Sequence, residues 1–135
     1  MCFRVFVFDV GFARLQGFVT QVFERVDLLR PHIAELLAAT FDDPDEGVRK
    51  YAERALQHML MKLDHEPTLT LAAHPLADKL DSKDLHFRSY SAVMLSMVVR
   101  KIKDRDTHKS LLDHITPAAT KDRDAGVRDY AGRAL

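Results

Sequence analysis

The side chains able to do chemistry are plentiful, but their spacing does not assemble them. Seven histidines occur, at 32, 58, 65, 74, 86, 108 and 114. No two stand three or four positions apart, the spacing that puts two ligands on one helix face, so no histidine pair for a metal is expected. Cys2 is the sole cysteine, which excludes an intramolecular disulfide and a thiolate cluster for zinc. Phe6-Val7-Phe8-Asp9-Val10 has the form of a strand ending in a nucleophilic aspartate, yet the second acid such chemistry needs two positions on is replaced by Gly11. Ser82, Ser89, Ser91 and Ser96 have no base at a telling spacing, and neither a glycine-rich phosphate loop nor a G-x-S-x-G elbow occurs. The expectation is a chain without catalysis, cofactor, metal or small-molecule substrate.

Composition narrows the remaining classes. In 135 residues, 20 Lys+Arg balance 20 Asp+Glu, so no overall basic footprint calls for nucleic acid or an acidic membrane. With 47% hydrophobic and 30% charged residues, a packed domain is expected rather than a disordered one. The longest apolar run near the start, Val5–Phe8, is too short for a signal-peptide core or a membrane span. With the lone cysteine this points to a soluble protein of a reducing compartment, cytoplasmic or else nuclear. Five of the eight phenylalanines (Phe3, Phe6, Phe8, Phe12 and Phe18) crowd the first eighteen positions. They are expected to pack on a neighbouring element or, alternatively, to offer a docking strip.

What must position these residues is an internal repeat. Arg49, Arg88 and Arg128 lie 39 and 40 residues apart, and each is followed two positions on by a tyrosine: Tyr51, Tyr90 and Tyr130, the only three in the chain. Four positions before each arginine stands an acid (Asp45, Asp84, Asp124), and one before stands Val48, Phe87 or Val127. Offsets −1, +3, +6, +7, +10, +11 and +14 from the arginine fall on one broad helical face. In the first repeat this face holds Val48, Ala52, Ala55, Leu56, Met59, Leu60 and Leu63. In the second it holds Phe87, Ser91, Met94, Leu95, Val98, Val99 and Ile102.

The pattern predicts helices over 44–63, 83–102 and from 123 onward. Asp43, Ser82 and Asp122 would cap them, Pro44 would occupy the first helical position, and Glu46 would complete a capping box. Shorter apolar segments at 33–41, 72–80 and 111–120 would be their antiparallel partners, with Pro75 and Pro117 kinking or delimiting two of them. Residues 64–68 and 103–107 read as polar spacers. A further helix over 12–29 would be the second helix of a degenerate leading repeat. The organisation expected is a leading segment over 1–30 and repeats over 31–66, 67–106 and 107–135. The third repeat helix is shorter than the first two, from which a fragment of a longer array or, alternatively, a fraying last helix is expected.

Residues 43–56, Asp-Pro-Asp-Glu-Gly-Val-Arg-Lys-Tyr-Ala-Glu-Arg-Ala-Leu, resemble the core signature of the HEAT repeat family; 122–135 repeat it and 82–95 are a weaker copy. The resemblance spans about 31–135. It implies an all-α fold, a right-handed, armadillo-like α-solenoid of antiparallel helix pairs whose second helices line a concave surface. It also implies an inter-repeat ladder of acids and arginines, here Asp43, Arg49, Arg88, Asp122 and Arg128, with Ser82 departing from the pattern. Iron-binding hydroxylases of HEAT-like build carry several His-Glu pairs on helices; this chain has one, His65-Glu66, placed in a loop ahead of Pro67.

Offsets +1, +4, +5 and +8 point away from the core face. They nominate Lys50, Glu53, Arg54 and Gln57, then Ser89, Ala92, Val93 and Ser96, then Asp129, Gly132 and Arg133 as the partner-facing surface. Charges of both signs flank a neutral, small-residue middle, a groove suited to a partner helix or extended peptide. The function expected is a protein-interaction scaffold or adaptor. The alternative is nucleic-acid binding of the kind found in HEAT-like DNA-repair glycosylases, against which stand the balanced charge and the absence of tryptophan.

Overall fold

A computed structural model describes residues 30–135. Residues 1–29, which hold all but the last position of the leading segment over 1–30, its helix and the Phe-rich strip, lie outside the described residues. Among the described residues every regular element is helical, and no helix is long and apolar enough to cross a membrane. The chain divides into two compact units, Met1–Leu63 and Asp64–Leu135.

In the first unit a 3-10 turn, Arg30–His32, leads into α1 (Ile33–Asp42), which packs on α2 (Glu46–Lys62). Ile33, Leu36, Leu37 and Thr40 recur at the spacing of one helical face and are all buried. Thr40 satisfies its buried hydroxyl by donating to the Leu36 carbonyl at 2.7 Å. Val48, Ala52, Ala55, Leu56, Met59, Leu60 and Leu63 of the predicted face are buried too. Ala39, Val48 and Ala52 form one apolar cluster that closes the hairpin.

In the second unit α3 (Glu66–Asp78) is followed by a 3-10 turn, Lys79–Asp81, and α4 (Leu85–Val98) by another, Val99–Lys101. Then come α5 (Arg105–Lys121) and α6 (Ala125–Ala134). Here α3 packs on α4 and α5 on α6, while α3 also meets α5 and α4 meets α6. Two hairpins therefore lie side by side, like helix against like. Leu69, Ala72, Ala73 and Leu76 of α3, Met94, Leu95 and Val98 of α4, Leu111 and Ile115 of α5, and Val127 and Ala131 of α6 form the buried interior. Of the three residues preceding the arginines, Val48 and Val127 are buried, whereas Phe87 is half-buried with Lys79 Nζ 5.9 Å from its ring centre.

Several helix limits differ from the sequence reading. The caps of α2, α4 and α6 are Asp45, Asp84 and Asp124, two positions later than Asp43, Ser82 and Asp122. The cap carboxylates accept from the amides of Val48 (3.1 Å), His86 (2.8 Å) and Val127 (3.0 Å). The first backbone bond of each helix runs from the arginine amide to the cap carbonyl, at 3.0, 3.1 and 3.1 Å. Asp43, Ser82 and Asp122 instead accept the amide two positions on, forming the turn that precedes the cap. Pro44 accordingly precedes α2, and Glu46 pairs with Lys50 at 3.0 Å rather than completing a capping box.

The supposed spacers are largely helix starts. Glu66 opens α3 and Arg105 opens α5, because their polar first turns satisfy free amides: Asp104 accepts from the Thr107 amide at 2.9 Å. Pro75 and Pro117 lie inside α3 and α5 and end neither at once. Each lacks an N–H for the carbonyl four residues back, but Leu71 and Asp113 are both exposed and their carbonyls can turn to water. The predicted helix over 83–102 narrows to the 3-10 turn Val99–Lys101 in its last stretch, keeping Val98, Val99 and Ile102 buried.

Candidate partner-binding surface

Each repeat arginine clamps the turn before its own helix. Arg49 Nη1 donates to the Asp43 carbonyl at 2.6 Å. Arg88 Nη1 donates to the carbonyls of Ser82 (3.0 Å) and Lys83 (3.2 Å). Arg128 Nη1 donates to those of Asp122 (2.6 Å) and Arg123 (3.2 Å). An arginine six residues into the repeat therefore locks the hairpin turn. Arg88 goes further, because its Nε donates to Asp122 Oδ2 at 3.1 Å across 34 positions of sequence. The two side chains are only 10% and 8% exposed. Asp122 is oriented for this by accepting the Asp124 amide on its other oxygen at 2.9 Å. One Arg–Asp rung thus joins the two hairpins of the second unit, and Arg49 is held by its own turn.

A second link joins the first helices. Glu66, in the first turn of α3, accepts the amides of Lys103 (2.9 Å) and Asp104 (2.7 Å) at the approach to α5. Glu66 and Asp104 line a shallow groove of about 640 Å³ with Pro67, Thr70, Leu71 and Thr107. Leu71 on its wall is 63% exposed, the most exposed of the large apolar side chains among the described residues. The Asp104 carboxyl is held below its ordinary pKa by the Thr107 amide, then by the Thr107 hydroxyl. The sequence reading overlooked this groove because it assigned Glu66 and Asp104 to spacers; the acid preceding Pro67 was the available helix-start signal.

The nominated residues fall into one group per unit. On α2, Lys50, Arg54 and Gln57 are exposed and Glu53 is half-buried. Gly47, Lys50, Tyr51 and Arg54 line a cleft of about 160 Å³. Glu46 titrates below its ordinary value, chiefly because Lys50 donates to its carboxylate and adds a nearby positive charge.

In the second unit Ser89, Val93 and Ser96 of α4 are half-buried, and Asp129, Gly132 and Arg133 of α6 are exposed. Ala92 corrects the sequence reading: it is 0% exposed and so offers nothing to a partner. Its offset, +4, lies at the edge of the predicted outward face, and helix packing in the second unit covers it. Ser96 donates its hydroxyl to the Val93 carbonyl at 2.6 Å. Arg133 pairs with Asp129 at 2.7 Å and lies 4.8 Å from the Tyr130 ring centre. Arg100, absent from the nominated set, donates to the Arg133 carbonyl at 3.2 Å. A Cβ built on Gly132 meets nothing within 4 Å.

Among the described residues no group of three or more His, Cys, Asp or Glu is placed to hold a metal ion. His65, expected in a loop, occupies the N-cap position of α3, its Nδ1 2.7 Å from Thr68 Oγ1 rather than from a helix amide. Compared with known proteins, the chain matches no protein-family model, no curated protein and no solved structure.

Proposed function

We propose that this chain is a non-catalytic interaction module of the HEAT-repeat kind, an α-solenoid that takes a partner helix or extended peptide along its second helices. The observation that carries the proposal is the side-by-side packing of like helices, α3 with α5 and α4 with α6, pinned by the Arg88–Asp122 rung. The 39- to 40-residue register of arginine, tyrosine and acid supports reading the first hairpin as another copy of the same repeat.

The surface over α4 and α6 suits docking because two of its polar side chains, Ser96 and Arg133, are already engaged. Ser96 donates to a backbone carbonyl, and Arg133 is paired with Asp129 and stacked on Tyr130. Covering such groups leaves few donors or acceptors unmet, so desolvation is cheap. Val93 supplies apolar area, and Ser89 and Gly132 let a partner backbone approach closely.

The test is differential capture from native lysate, with quantitative mass spectrometry on wild type and Val93→Glu, both checked for equal melting temperature. Val93 is half-buried, so the glutamate should leave folding intact while removing a defined set of bound proteins. An unchanged set would refute the surface assignment. Affinity for duplex DNA that falls steeply with salt would favour the nucleic-acid reading instead.

A further inference from the structure

The groove of about 640 Å³ between α3 and α5 joins exposed apolar area to negative charge that no cation offsets. Leu71, 63% exposed, and Pro67 supply the apolar part. Glu66 accepts the Lys103 and Asp104 amides on Oε1, and Asp104 accepts the Thr107 amide on Oδ2. Among the described residues no lysine or arginine pairs with either acid. Their chain neighbours Lys103 and Arg105 are exposed and reach neither. A third acceptor comes from the backbone. Pro75 has no N–H, so the Leu71 carbonyl lacks its usual helical donor. Backbone amides already hold both carboxylates, so little side-chain freedom is left to lose when a donor arrives.

We infer that this groove docks a basic, apolar peptide segment. An apolar side chain lies on Leu71 and Pro67, and a lysine or arginine beside it reaches Glu66 and Asp104. Charge complementarity selects this occupant. Two fixed carboxylates repel phosphate-bearing nucleic acid and anionic lipid, and an uncharged apolar segment would leave both acids without a cation. The groove belongs to the first helices, α3 and α5. It is separate from the surface over α4 and α6 and does not depend on that surface being occupied.

The experiment titrates the full chain, with isotope-labelled methyls and amides, with three short synthetic peptides of one pattern: Lys-Leu, Glu-Leu and Lys-Ser. The Lys-Leu peptide should move the Leu71 methyls and the Thr107 amide saturably, and its affinity should fall with added salt. The other two should leave these resonances in place. Leu71→Ser, at an exposed position, should weaken binding about tenfold. Glu66→Gln keeps an oxygen for the two amides but removes the charge, and should weaken binding about two- to fivefold. Both variants should melt with the parent. Absence of any shift with Lys-Leu would overturn the proposal, as would equal shifts with either control peptide or an unchanged affinity in Leu71→Ser. Self-association of the free chain that moves the Leu71 methyls and is lost in Leu71→Ser would also overturn it, because a second copy would then fill the groove.

Discussion

Replacing Arg88 by alanine removes three hydrogen bonds at once: two to the turn carbonyls of Ser82 and Lys83, and one to Asp122. Judged from sequence as a single charged hydrogen bond, the loss is worth ~1–2 kcal/mol. The structure raises that figure, because Asp122 is only 8% exposed and would be left as a buried carboxylate without its cation. Breaking a buried pair by deleting one partner costs ~3–5 kcal/mol, chiefly through the desolvated charge left behind. Arg128→Ala is the internal control. It removes the same backbone clamp from a half-buried residue that no carboxylate among the described residues pairs with, so ~1–2 kcal/mol is expected. The assay is urea unfolding followed by circular dichroism, with amide exchange to assign the loss to residues 64–135. A double-mutant cycle with Asp122→Asn should give a coupling energy of ~1–3 kcal/mol between the two side chains. If Arg88→Ala costs no more than Arg128→Ala, or the cycle gives no coupling, the rung does not hold the hairpins together.

Ser91 stands where the other repeats have Ala52 and Ala131; it is fully buried and its hydroxyl has no hydrogen-bond partner among the described residues. Ser91→Ala should therefore stabilise the chain by ~1 kcal/mol or more, seen as a higher melting temperature, and a lower one would show that the hydroxyl is bonded. Leu95 is 0% exposed, so Leu95→Asp places an unpaired charge in the interior and should abolish the cooperative unfolding of residues 64–135. Asp104 titrates below its ordinary value because the Thr107 amide donates to it. Its contribution is thus present above the unfolded pKa of about 4 and is lost as pH falls through the lower folded value. Asp104→Asn should flatten the fall in stability below about pH 4, and an unchanged acid limb would contradict the assignment.

The sequence revealed α1 and the second helices far better than α3 and α5, and the reason is physical. α2 and α4 bury a wide stripe in which apolar residues recur at three and four, so periodicity alone locates them. α5 buries only Leu111, Ile115 and Ala118 over seventeen residues, and a stripe that thin sends almost no periodic signal from its first turn. Polar helix starts compound the difficulty. Asp104 and Glu66 look like spacer residues until it is known that each accepts backbone amides, which composition cannot disclose.

The caps fail in a more instructive way. Asp43 and Asp45 are both acids before the same arginine, and either one satisfies a capping preference. What decides between them is that Asp43 and Asp122 are needed elsewhere. Their side chains accept the amide two residues on, their carbonyls accept Arg49 and Arg128, and the free oxygen of Asp122 takes Arg88. A residue engaged in building the turn and bridging to the next hairpin cannot also begin the helix, so capping passes two positions along. The same division of labour explains Ser82. Its hydroxyl still accepts the Asp84 amide at 3.2 Å and its carbonyl still accepts Arg88, so the turn survives the change from aspartate. What serine cannot supply is a second, charged oxygen of the kind that Asp122 gives Arg88. Substituting aspartate at a rung therefore preserves the local turn and removes only the electrostatic bridge, and the two functions are separable by mutation: Asp122→Ser should keep α6 capped while losing the coupling to Arg88.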